Sequence, residues 1–143
     1  KNITDQGYQV STIKHAHHSF DIDHEGTDSF RHRKAGAKEV LLASRKRWAL
    51  IHELMDEPEK DFDFLVNRIA PTDLILVEGF KAEVHNKIEV IREENKKTPI
   101  HMSDENVLAI AADYKISDVS LPIFHLDEIS KIANFILKKV GLK

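Results

Sequence analysis

The chain has 143 residues, 41% hydrophobic and 31% charged, with a formal net charge of −3 and no cysteine. That size and composition predict one folded domain over residues 1–143, with roughly two-thirds of the unfolded chain's surface hidden. The missing cysteine excludes a disulfide scaffold, a zinc ribbon and a thiol nucleophile. No apolar run approaches the roughly 18 residues that span a bilayer, and the acidic balance leaves no global basic field to recruit a nucleic acid. A cytoplasmic α/β protein without nucleic-acid or membrane partners is the expectation.

Residues 1–7 read as the tail of a helix whose start lies before Lys1, with Gly7 placed as a C-cap. Val10, Thr12 and Ile13 predict a buried strand over residues 9–14. Residues 15–26 are polar and rich in histidine without any period, the pattern of a long loop. Thr27 is placed to cap a helix running to about Ala35, with Asp28 in its first turn. Phe30 is the only large hydrophobic residue of this helix, so most of it should face solvent or a ligand. Two β-rich runs, residues 39–44 and 47–53, flank Arg45 and Lys46 and predict an antiparallel hairpin without the usual Asn-Gly turn.

Asp56-Glu57-Pro58-Glu59 has the form of a helix start, and Phe62, Leu65, Val66 and Ile69 follow at helical spacing before Pro71. Residues 74–77 are continuously apolar and closed by Glu78-Gly79, which predicts a central strand buried on both faces. Ile88, Val90 and Ile91 mark another strand, residues 107–112 a further one ending at Asp113, and residues 122–125 a short last one. Ile129, Ile132, Ala133, Ile136, Leu137 and Val140 form the stripe of a final helix, with Asp127 as its cap and Gly141 past its end. Together these elements predict a mainly parallel sheet with helices on both faces and one antiparallel hairpin.

Ligands of open parallel sheets bind beyond the carboxyl ends of the strands. The unusual polar residues fall there: Lys14-His15-Ala16-His17-His18, then Glu78-Gly79-Phe80-Lys81, then Asp113. Asp73-Leu-Ile-Leu-Val-Glu78-Gly79 has the form of a Walker B strand, whose terminal carboxylate stands beside Mg²⁺ because hard cations take oxygen ligands. Many buried strands also end in an acid. The loop histidines with Asp21, Asp23 and His24 admit a transition-metal site or a loop wrapping a nucleotide, with a solvated polar loop as the plain alternative. Arg31, Arg33, Lys34 and Lys38 make the helix after Thr27 basic, either for an anion or as a solvated face. Trp48 reads as a core or interface residue.

Several blocks, in order, resemble one family. They are Ile13-Lys14-His15-Ala16-His17-His18, Asp21-Ile22-Asp23, Gly26-Thr27-Asp28-Ser29, Arg33-Lys34-Ala35-Gly36-Ala37, Ala43-Ser44 with Arg47-Trp48-Ala49-Leu50, and the Asp73 to Lys81 segment. The chain resembles the molybdopterin-guanine dinucleotide biosynthesis protein B (MobB) family over nearly its whole length. The resemblance implies a P-loop NTPase-like fold, a homodimer, and a GTP-binding accessory protein for the guanylyltransferase that attaches GMP to molybdopterin. At most weak GTPase activity is implied, with GTP and Mg²⁺ as cofactors and molybdopterin as a further ligand.

Carried onto this chain, Glu78 would act catalytically through Mg²⁺, with Asp23 as a second metal ligand. Lys14, His15, His17, Asp23, Asp28, Ser29, Arg33 and Gly79 would line the nucleotide or cofactor side, and Asp113 would meet the guanine base. The family's Walker A loop, G-x-x-x-x-G-K-[ST], occurs nowhere in the 143 residues. The expectation is therefore that a strand, that loop and a helix start precede Lys1. A non-hydrolysing adaptor for the pterin cofactor or the guanylyltransferase is the alternative function, and a metallohydrolase built on the histidine loop is the third.

Overall fold

A computed structural model describes residues 1–16, 19–95 and 97–143. In chain order the elements are β1 Val10–Lys14, α1 Asp28–Lys34, β2 Glu39–Ala43, β3 Trp48–His52, α2 Phe62–Val66, β4 Leu74–Glu78, β5 Lys87–Ile91, β6 Val107–Ala112, β7 Ile123–His125 and α3 Ile129–Lys139. They form two compact units, one of Lys1–Thr12, Pro71–Leu76 and Phe80–Lys143, the other of Ile13–Ala70 and Val77–Gly79. β1 and β4 pair as a two-stranded sheet. Gln9 O accepts from Asp73 and Leu74 N, and His15 N donates to Glu78 O, so the two strands run parallel.

In the first unit, β5, β6 and β7 form a parallel sheet in that order. β6 has a partner on each edge and an apolar residue at every position, and all of its residues but Leu108 are buried. β6, not β4, is thus the most buried strand. In β4 only Leu74 is buried, while Ile75, Leu76 and Val77 are half-buried, since its sheet has only β1 beside it.

Leu74 packs with Ile3, Ala133 and Leu137 into a core that Val10, Leu76 and Ile136 extend. Ala133 and Leu137 lie four residues apart on α3, so one stripe of that helix is buried while Ile129 and Val140 at its ends stay exposed. Glu128, rather than Asp127, occupies the N-cap position. Its carboxylate accepts from His125 N at 2.9 Å and pairs with Lys131, whereas the Asp127 side chain points to solvent. Gly7, in the left-handed region at φ +96, closes a 3₁₀ turn over Thr4–Gln6.

In the second unit, β2 and β3 pair antiparallel from Glu39↔His52 to Ala43↔Trp48. Ser44 makes the turn without Asn-Gly: its hydroxyl donates to Arg47 O and accepts from Lys46 N and Arg47 N. Leu41, Trp48 and Leu50 are exposed on this hairpin. α1 begins at Thr27, whose hydroxyl accepts from Phe30 N. α2 begins at Asp61, which accepts from Phe64 N at 2.7 Å, so the apparent helix start at residues 56–59 lies outside it and Ile69 falls beyond its end. Glu57 is drawn away instead, pairing with Lys38 at 2.5 Å and Lys60 at 2.7 Å. Both lysines hold its carboxyl down at about 2. No helix of the described residues is long and apolar enough to cross a membrane.

Candidate functional site

The parallel pair β1–β4 carries its strand ends out at Lys14 and Glu78. Lys14 Nζ lies 2.8 Å from Glu78 Oε1, and both side chains are about 70% exposed. A pair so exposed adds little to stability. Both charges are consequently open to a ligand. Glu78 Oε2 has no partner among the described residues, so the carboxylate retains an oxygen for a hard cation.

Gly79 turns the chain immediately after this carboxylate. Its φ of +94° is open to glycine, and a Cβ there would stand 2.7 Å from His15 Cβ and 3.3 Å from His15 O. The bare glycine therefore lets the two strand ends close on one another. His15 is held from the other side as well, with Nε2 2.8 Å from Glu59 Oε1. Phe80, at φ +49°, is one of three non-glycine residues with positive φ among the described residues. Lys14, His15, Glu78 and Gly79 are thus brought together as the sequence expects, with Glu59 as an addition nothing in the motif announces.

A second cluster gathers on α1. The Arg33 side chain is 11% exposed. Its Nε and Nη2 donate to Asp23 at 3.1 and 2.6 Å, Nη2 also donates to Asp21 at 2.8 Å, and Nη1 donates to Glu53 at 2.9 Å. The Arg33 guanidinium holds the Asp23 carboxyl below the usual carboxylate range, against the opposing effect of burial and with help from Ser29. Asp23, with Asp21 and Glu53, in turn pushes Arg33 upward. Three carboxylates around one guanidinium leave the cluster net negative and engage the arginine's donors. The Asp23 carboxylate is likewise committed to Arg33, and a metal ion there would have to displace the guanidinium.

Ser29 is buried, with its hydroxyl 3.2 Å from Thr27 Oγ1, and Asp28 is a surface residue 3.4 Å from Arg31. His17 lies outside the described residues. Among the described residues no group of three or more histidine, cysteine or acidic side chains is placed to hold a metal ion, and His17 and His18 of the histidine loop lie outside those residues. In the first unit, Asp113 follows β6, accepts from Glu93 N at 2.9 Å and lies 3.9 Å from Arg92.

Parallel sheets, an antiparallel hairpin and a Walker B-like strand end with its carboxylate and glycine define a P-loop NTPase-like α/β protein. The chain belongs to the MobB family: the family model for Molybdopterin guanine dinucleotide synthesis protein B matches residues 1–113. It is 38% identical over 136 residues to the molybdopterin-guanine dinucleotide biosynthesis adapter protein of Escherichia coli (strain K12), covering 93% of this chain and 77% of that protein. To the adapter protein of the same name from Haemophilus influenzae it is 40% identical over 133 residues, covering 90% of this chain and 71% of that one. The crystal structure of Bacillus subtilis MobB superposes with a TM-score of 0.73 at 25% identity, covering 98% of this chain and 83% of that one. A crystal structure of molybdopterin-guanine biosynthesis protein B has the same fold, with a TM-score of 0.73 at 24% identity over 96% of this chain and 84% of that one.

Proposed function

We propose that this chain is an adapter of molybdopterin guanine dinucleotide biosynthesis that engages a guanine nucleotide with Mg²⁺ at the Lys14–Glu78 strand edge and serves a guanylyltransferase partner. Its family membership places it in molybdenum cofactor biosynthesis. The observation that carries the nucleotide reading is the exposed Lys14–Glu78 pair, 2.8 Å apart at the ends of adjacent parallel strands and followed by Gly79. Mg²⁺, when bound, neutralises phosphate charge and orders water. Glu78 would orient that ion, at most supporting weak GTPase chemistry, and Lys14 would meet phosphate oxygens. Gly79 would allow close backbone approach. Arg33 and Asp23 would fix the loop entering α1 rather than touch the ligand, with Ser29 beneath them. Asp28 and Asp113 remain proposals for the cofactor side and the base.

A second reading, the non-hydrolysing adaptor for molybdopterin or for the guanylyltransferase, is favoured by the hairpin, where Leu41, Trp48 and Leu50 are exposed on one small element. The same hairpin is the surface proposed for the homodimer.

The test is product formation by the guanylyltransferase from molybdopterin and GTP, with and without this chain joined at Lys1 to a strand and Walker A segment. The nucleotide reading expects stimulation that Glu78→Gln diminishes. Stimulation unaltered by Glu78→Gln but abolished by Trp48→Asp would transfer the role to the hairpin.

A further inference from the structure

The first unit carries a concavity of about 570 Å³, open to solvent beside β5 and β6. Ile91, Val107, Tyr114, Val119 and Leu121 give it apolar walls, and Met102, 75% exposed, forms a lip. One wall is built with care. Glu89 is buried on β5, and its carboxylate accepts from Ile100 N at 2.6 Å, His101 N at 3.0 Å and His101 Nδ1 at 2.6 Å. That bond turns Nδ1 toward Glu89, and Nε2 has no partner among the described residues.

The rim is acidic. Asp104, Glu105 and Asp118 line it, and no lysine or arginine does among the described residues. Asp104 is answered by Lys87 at 2.9 Å, while Glu105 and Asp118 have no ion-pair partner there. Asp118 holds its carboxylate at this rim from a left-handed backbone, φ +61°, a conformation aspartate tolerates better than most residues.

The uncompensated carboxylates of Glu105 and Asp118 repel phosphates, which distinguishes this groove from a nucleotide subsite. They suit a guanidinium or ammonium group, and the apolar walls suit aliphatic side chains flanking it. The exposed Met102 thioether at the lip has the rotatable bonds to adapt to a macromolecular surface. We propose that the groove docks a segment of a partner protein in which arginine or lysine alternates with aliphatic residues.

The experiment is a ¹H–¹⁵N NMR titration of the whole chain with the capped peptide Leu-Arg-Leu-Arg-Leu, using Leu-Glu-Leu-Glu-Leu, agmatine and inorganic phosphate as comparison probes. The proposal expects saturable shifts at His101, Glu105 and the 116–121 segment with the basic peptide only. The pair Glu105→Gln and Asp118→Asn keeps shape and left-handed tolerance, so the fold should persist while the peptide binds roughly three- to tenfold more weakly. The proposal is overturned by absent shifts, by equal binding of the acidic peptide, or by agmatine binding as tightly as the peptide. Phosphate shifting the same residues overturns it too, as do shifts that follow protein concentration alone, which would make a second copy the occupant.

Discussion

Replacing Gly79 by alanine probes whether the strand edge depends on the close approach of its two backbones. The substitution does two separable things. It forces an L-residue to φ +94°, which costs about 1–2 kcal/mol, and it inserts a Cβ only 2.7 Å from His15 Cβ. The contacted atom is next to the backbone, so relief requires moving β1 or β4 rather than a side-chain tip, an overpacking cost of about 1–3 kcal/mol. The total is about 2–5 kcal/mol. Gly36 supplies the control, because its φ is +97° but a Cβ there meets nothing within 4 Å. Gly36→Ala should therefore cost only the backbone term, about 1–2 kcal/mol. Urea unfolding followed by circular dichroism reads both values from midpoints at constant m. If Gly79→Ala lies within about 0.5 kcal/mol of Gly36→Ala, the His15 contact is not tight and the account of this edge is wrong.

Arg33→Lys removes the fork that bridges Asp23, Asp21 and Glu53, so amide exchange over residues 19–24 should accelerate while the hairpin stays protected; unchanged exchange would show that the loop is held otherwise. Glu57 and Asp104 both titrate at about 2 in the fold, from ordinary values of 4.5 and 3.8. Lowered carboxyls stabilise above their ordinary range and lose that contribution as pH falls toward 2, so unfolding free energy should drop across this window. Glu57→Gln should flatten part of that slope, which urea titrations at stepped pH would detect. Leu137→Ala, in the core formed with Ile3, Leu74 and Ala133, should cost about 2–5 kcal/mol, measured by the same unfolding curves.

What was legible in the sequence depended on the range of the interaction. β6 can be read from its six apolar residues, and α3 from a stripe that needs no knowledge of its partner. The hairpin is legible from β-propensity alone, even though Ser44 replaces the usual turn chemistry. The relative burial of β4 and β6 is not legible, because two apolar runs look alike until strand order decides which has neighbours on both edges. Helix starts fail for a related reason. Residues 56–59 satisfy every local rule, yet Lys38 and Lys60 claim Glu57 and leave Asp61 to cap α2. At the site, Lys14, Glu78 and Gly79 follow from strand ends, a local signal. Arg33's acidic partners stand 10, 12 and 20 positions away, and Glu59 reaches His15 from 44 positions away. No spacing rule foretells those contacts, which commit the Arg33 guanidinium to Asp23, Asp21 and Glu53.

Calorimetric titration of GTP with and without Mg²⁺ tests whether Glu78 and Lys14 engage the ion and the guanine nucleotide. Two proteins are compared, the 143-residue chain and the same chain joined at Lys1 to a strand and Walker A segment. The expectation is very weak binding by the 143 residues, since they hold no Walker A motif, and Mg²⁺-sensitive binding by the longer protein. In the longer protein Glu78→Gln should remove most of the Mg²⁺ sensitivity while leaving the unfolding midpoint unchanged. Tight GTP binding by the 143 residues alone, or a Glu78→Gln protein with an unaltered Mg²⁺ response, would contradict it.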